Sequence, residues 1–239
     1  AESSDLPPPL PPRRVGMNCE VFTLPPLRCE ARQAKEALRA LTHTILLARA
    51  LGPCAPSDVD SALFPDLTYV TCGDAEVERV VEARLDAFAS WTAKRGRDVA
   101  RRGGDAREIH ARVCVSFFER DRGDRGGGLG GSGSGSGAWE QWRIPIEVTL
   151  ESGDGGEGDD AAAARAREER SLALRDEIRG AITHALTLAN ERVAHVPPVT
   201  RAGAVSFPFE ISLPGDGASG TLGTLRRVML ASSPPAMLT

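Results

Sequence analysis

The period of the hydrophobic positions changes along the chain, and the changes mark its elements. Over residues 31–51 apolar side chains recur at Ala34, Leu38, Leu41, Ile45 and Ala48, the spacing of one helical face. Leu46, Leu47 and Leu51 widen that face, so this helix is expected to be buried on more than one side or to serve a partner as well. Gly52-Pro53 ends it. Val77, Val80, Val81, Leu85, Phe88 and Trp91 mark a second amphipathic helix, with Asp74 placed as its N-cap. Leu174, Ile178, Ile182, Ala185, Ala189 and Val193 form the stripe of a third and longest helix, expected over 165–193 and stopped by Pro197-Pro198.

Between the helices the pattern reads as strand. Residues 19–24 alternate and then meet Pro25-Pro26, a pair that no central strand tolerates, so an edge or a bend is expected there. Residues 67–72 are β-branched and aromatic, whereas 57–64 read as a connector with a short turn and 94–105 as a basic connector. Residues 109–119 and 139–151 read as the two arms of a long hairpin, with Pro145 implying an edge or a bulge in the second arm. A last strand is expected over 205–213 and a short final element over 222–230. This order predicts an α+β fold: one domain, a mostly antiparallel sheet and three long helices on one of its faces.

Composition narrows the classes. The residues are 41% hydrophobic and 26% charged with a net charge of -4, which is ordinary for a soluble globular domain. No basic stripe interleaves with aromatics, so nucleic acid is not an expected partner. No apolar run approaches the roughly 18 residues of a membrane span. Residues 1–16 are Pro-rich and expected to be a disordered extension, leaving 17–239 as the domain, with low-complexity loops at 121–138 and 152–164. The five cysteines are odd in number and irregular in spacing, which favours reduced thiols over a disulfide frame or a zinc site.

Candidate chemistry is sparse. Gly126-Gly127-Gly128-Leu129-Gly130-Gly131 matches G-x-G-x-x-G literally but runs into more Gly-Ser instead of opening a helix, so it is no dinucleotide fingerprint. His43, His110, His184 and His195 have no metal-ligand spacing, and G-x-S-x-G is absent. No catalytic residue, metal ligand or cofactor is expected. Trp139 and Trp142 stand at odd spacing, which in a regular strand sends them to opposite faces: one into the core, the other partly exposed.

An ordered set of short segments carries a resemblance. Met17-Asn18-Cys19-Glu20-Val21, the helix segment 41–52, Leu67-Thr68-Tyr69-Val70 and Val115-Ser116-Phe117-Phe118 come first. Trp139-Glu140-Gln141-Trp142, His195-Val196-Pro197-Pro198, Phe207-Pro208-Phe209-Glu210-Ile211 and Leu225-Arg226-Arg227-Val228-Met229 follow. In that order they resemble the autophagy-related protein 101 family, most closely its plant-type members. The resemblance implies a HORMA domain acting as a non-catalytic scaffold or adaptor in the autophagy-initiation kinase complex. It implies a cytoplasmic protein recruited to the phagophore assembly site and paired with the HORMA domain of autophagy-related protein 13. By resemblance the pairing uses the helical side, around Leu47, Ala48 and Arg49. The family's recruiting loop, with its Trp and Phe, lies just before the Trp-Glu-x-Trp segment. Here residues 119–138 hold no Trp or Tyr and no Phe, and Leu129 is their one large apolar side chain, so the recruiting role does not carry over residue by residue: it is lost, moved elsewhere, or performed in the region of Leu129, Trp139 and Trp142, through Trp139. Two other readings stay open: a HORMA-type peptide-binding or checkpoint adaptor, and an enzyme whose site forms only in three dimensions.

Overall fold

A computed structural model of the chain describes residues 19–101, 108–119, 138–150, 160–199 and 207–216. The expected N-terminal extension, the glycine-serine tract with Leu129 and the final element at 222–230 lie outside these residues. In chain order the elements are β1 (Glu20–Thr23), β2 (Leu27–Glu30), α1 (Ala31–Ala48), β3 (Ser57–Asp60) and β4 (Thr68–Thr71). Then come α2 (Ala75–Arg101), β5 (Glu108–Phe118), β6 (Ala138–Thr149), α3 (Asp160–Glu191) and β7 (Phe209–Ser212).

Strand β6 is the middle of the main sheet. It pairs antiparallel with β5 from Glu108↔Thr149 to Phe118↔Ala138, and β7 extends the sheet antiparallel on the far side of β5. On its other side β6 takes β1 and then β2, both parallel. The two short strands are one edge interrupted by Pro25-Pro26. Register runs from Thr23↔Arg143 to Leu27↔Ile146, so four residues on the edge match three on β6. Pro145 falls at the level of that step. It therefore stands in a central strand, against the edge position expected, and the donor it lacks coincides with the place where the neighbouring ladder is already broken.

Alternation decides which face of the sheet is covered. Trp142, Ile144, Ile146 and Val148 of β6 and Ile109, Val113, Val115 and Phe117 of β5 are buried, and the three helices lie over this face. Helix α1 sits between α2 and α3 above the sheet, and twelve of its residues are buried, which is why its apolar surface outruns a single face. Its start carries a capping box in which the Glu30 N–H donates to Gln33 Oε1 at 3.1 Å. Asp74 caps α2 as expected, its Oδ1 accepting from the N–H groups of Glu76 at 2.9 Å and Val77 at 3.1 Å. The whole is a single α+β domain of HORMA-like layout.

Three boundaries differ from expectation, each for a local reason. Helix α2 continues through residues 94–101, because Lys and Arg are good helix formers and the single Gly96 does not stop a helix already packed. Helix α3 begins at Asp160, inside the stretch read as a loop over 152–164, because the alanines at 161–164 have the highest helix propensity of any residue. Strand β3 was expected as a connector. Ser-Asp-Val-Asp has one apolar residue, and only its pairing with β4 in a separate two-stranded sheet makes it a strand.

Candidate functional site

The segment where β6 begins holds the structure's most unusual chemistry. Phe117 pairs with Glu140 and Phe118 with Ala138, so Trp139 has no partner of its own on β5 and forms a bulge. The bulge resets the alternation. Trp139 and Trp142 are both buried, at 1% and 0% exposure, which corrects the expectation that one would be partly exposed. It also leaves Glu140 on the core-facing register, with no accessible surface at all.

A carboxylate placed there must be matched. Arg49 supplies the match from the C-terminal cap of α1. Its Nε donates to Oε1 of Glu140 at 2.9 Å and its Nη2 to Oε2 at 2.8 Å, a two-pronged contact. The guanidinium also donates from Nη1 to the carbonyl of Ala189 at 3.0 Å, satisfying one of the open carbonyls in the last turn of α3. Trp142 Nε1 donates to Glu140 Oε1, and His195 Nε2 lies 2.6 Å from Oε2. Because the carboxylate beside Arg49 only accepts, His195 is the donor in that bond.

Aromatic rings enclose the cluster. Phe22 of β1 lies 4.4 Å from Trp142 and 5.8 Å from His195, centroid to centroid. Trp139 stands 5.6 Å from His195, 5.7 Å from Phe117 and 4.8 Å from Phe207, the last edge-on. The group thus ties the ends of α1 and α3, the start of β6, β1 and the approaches to β7 into one knot. Both Glu140 oxygens are fully engaged, and of the polar groups around them only His195, its side chain 19% exposed, reaches the surface. Its chemistry is that of a clamp.

Among the described residues the other shifted groups include four thiols and a buried histidine. Burial pushes the Cys29 thiol up to about 12 and raises Cys19, Cys72 and Cys114 as well, so these thiols stay protonated. Burial lowers His43 to about 4, and its ring stacks on Tyr69 at 6.0 Å. A shallow cleft on the outer sheet face is lined by His110, Arg112, Pro145, Glu147 and Pro214, where Glu147 is already held by Arg28 at 2.8 Å. Among the described residues no three His, Cys, Asp or Glu side chains come together as metal ligands, and no helix is long and apolar enough to cross a membrane.

The residues named for partner contact land as follows. Leu47 and Ala48 are half-buried against the core, and Arg49 is 2% exposed, its side chain committed to Glu140. Just beyond them Leu51 is 53% exposed, and Val193, past the end of α3, is 56% exposed. The Arg49–Ala189 bond places the ends of α1 and α3 side by side, so these apolar side chains belong to the same end of the helical layer. Glu140 escaped sequence reading, although a signal was there. Glu140, Trp142, Ile144, Ile146 and Val148 share one period-two register, and a carboxylate in such a row demands a buried cation.

Two comparisons bear on identity. The family model described as Autophagy-related protein 101 matches residues 26–203. A relative from Arabidopsis thaliana, named Autophagy-related protein 101, is 30% identical over 230 residues, which cover 93% of this chain and all of the relative.

Proposed function

The chain belongs to the autophagy-related protein 101 family, and on that premise we propose that it is a non-catalytic scaffold in autophagy initiation. It works by pairing with the HORMA domain of autophagy-related protein 13 and holding it in its folded state. A partner that binds only the folded form of another protein stabilises that form by mass action. Through this pairing the protein joins the initiating kinase complex and is carried from the cytoplasm to the phagophore assembly site.

The observation that carries the reading is full-length similarity to a relative whose name states an autophagy role. The structure supports the mode of action in two ways. The buried Glu140 carboxylate is matched by contacts from its own chain, as in a clamp. The same end of the helical layer presents Leu47, Ala48, Leu51 and Val193, an apolar rim of the kind that partner surfaces cover. Arg49 contributes from inside, fixing the ends of α1 and α3 that display this rim.

Co-expression of residues 17–239 with the HORMA domain of autophagy-related protein 13 tests the proposal. The expected result is one complex that co-elutes in size-exclusion chromatography and survives purification. Two species that elute separately at micromolar concentration overturn it.

A further inference from the structure

We propose that residues 192–199 are a strap pinned by one side chain, His195, and that the slot its ring fills is a binding site for an imidazole. When the strap lifts, the slot takes the histidine side chain of another chain in its place. The inference does not depend on the partner proposed above.

The strap is lightly held. Helix α3 ends at Glu191, and the chain turns at once, the Val196 N–H donating to the Val193 carbonyl at 3.1 Å. Arg192, Val193 and Ala194 are exposed before His195, and Pro198 and Val199 after it. Val196 packs against the core and Pro197 is buried, but Pro197 and Pro198 have no N–H to give. The Arg192 N–H donates back to the Leu188 carbonyl of α3 at 3.0 Å. Beyond that bond and its own turn, the strap makes one hydrogen bond among the described residues, from His195 Nε2 to Glu140 Oε2 at 2.6 Å. A segment with so few contacts opens at lower cost than the sheet beneath it.

The slot, by contrast, is built without the strap. Glu140 is fixed by both prongs of Arg49 and by Trp142 Nε1, so its Oε2 stays in place as an acceptor when His195 leaves. Phe22 and Trp139 line the slot, their ring centroids 5.8 and 5.6 Å from that of His195. These walls have seats of their own. Phe22 lies 4.4 Å from Trp142, and Trp139 packs on Phe117 and Phe207. A flat ring fits between such faces, and its N–H meets the carboxylate. A guanidinium fits less well, because Arg49 already neutralises Glu140 and a second fixed cation would face it. His195 wins the slot through its tether, which gives an effective concentration on the order of millimolar, so a free imidazole competes in that range. Val193 rides on the strap, so release also moves part of the apolar rim.

Imidazole itself is the probe. The full chain carrying His195→Ala is titrated with it at a pH where the free ring is neutral; 1-methylimidazole, which then has no N–H, is the control. The expected result is a melting temperature that climbs by several degrees through the millimolar range with imidazole, as binding to the folded form requires, and far less with the control. The native chain, its slot filled, moves much less. Limited trypsin cleavage after Arg192, measured against other arginine sites, reads the strap. It is expected to rise several-fold in His195→Ala, to stay near the native rate in His195→Gln, which keeps an N–H donor, and to rise in the native chain once imidazole exceeds the millimolar range. A His195→Ala melting temperature indifferent to imidazole, or raised equally in the native chain or by the control, overturns the slot. Cleavage after Arg192 unchanged in His195→Ala overturns the pin. The native-chain titration needs no variant, and unchanged cleavage there overturns the exchange by itself.

Discussion

Arg49 and Glu140 stand 91 residues apart in sequence and meet in the core with side chains 3% and 0% exposed. Taking both charges out of water costs several kcal/mol each, and only their mutual geometry offsets that cost. Removing one partner leaves the other charged, buried and unmatched. Glu140→Gln and Arg49→Met are therefore each expected to destabilise the domain by about 3–5 kcal/mol in urea denaturation. The double variant Arg49→Met with Glu140→Leu is expected to lose less than the sum of the two. Strict additivity would show that the pair is not energetically coupled.

The two tryptophans of the bulge separate in a simpler experiment. Trp142 Nε1 donates to Glu140, whereas Trp139 Nε1 is buried with no partner. Trp142→Phe removes a bond to a buried charge and is expected to cost about 1–3 kcal/mol. Trp139→Phe removes a donor that was already unsatisfied and is expected to cost less than about 1 kcal/mol. Thermal melts of the two variants side by side decide the order; equal losses would remove Glu140 from the explanation.

What the sequence discloses about this fold follows from which contacts are local. The helix stripes, the Asp74 cap and the β5–β6 hairpin are written in periods of a few residues, and all three are legible. Strand β3 is not, because its three polar residues become strand only against β4. Pro145 misleads for the same reason: its permission to stand in a central strand lies in Pro25-Pro26, far away in sequence and adjacent in space. The clamp was half visible. The Trp-Glu-x-Trp segment and the helix around Arg49 both stand out, and Glu140 shares the register of Trp142, but the bulge that turns Trp139 inward as well is a property of the pairing with β5, and nothing local announces it.

Acid should weaken the domain in two separate windows. His43 is lowered from 6.5 to about 4 by burial, so the unfolded chain binds its proton more readily. Stability from this group is complete above pH 6.5 and is lost as pH falls toward 4, by about 3 kcal/mol over the window. Below that, Glu82, lowered from 4.5 to about 2 chiefly by its hydrogen bond to Arg39, gives up its contribution between pH 4.5 and 2. Glu82 is 38% exposed, so solvent screening keeps its share small. Urea midpoints at pH 7.5, 6 and 4.5 should decline for the native chain and decline much less for His43→Leu. Parallel curves would place the acid sensitivity elsewhere.

Two glycines should respond oppositely to alanine. Gly73 has a φ of +66°, and an added Cβ would sit 1.9 Å from the carbonyl oxygen of Ala55, which is backbone and cannot yield. Gly73→Ala is expected to cost at least about 2 kcal/mol and to loosen the turn from β4 into α2. Gly180 lies inside α3 with nothing within 4 Å of an added Cβ. Gly180→Ala is expected to stabilise the domain by about 0.5–1 kcal/mol through helix propensity alone. Differential scanning calorimetry should move the two melting temperatures in opposite directions.

The interface proposal makes the sharpest contrast between surface and loop. If the rim at the ends of α1 and α3 is covered by the partner, an aspartate there desolvates without a match in the complex while remaining solvated in the free domain. Leu51→Asp and Val193→Asp, both at exposed positions, should therefore leave the melting temperature of the isolated protein within a degree or two and weaken pairing with autophagy-related protein 13 by at least about tenfold, or 1.4 kcal/mol. Removing residues 126–137 takes away Leu129 and the Gly-Ser run but no aromatic anchor, so the affinity for that partner should not change. Titration calorimetry with each variant reads both effects. Full affinity in the two aspartate variants would move the interface off this end of the helices, and a complex lost on shortening the tract would move it to the loop before the bulge.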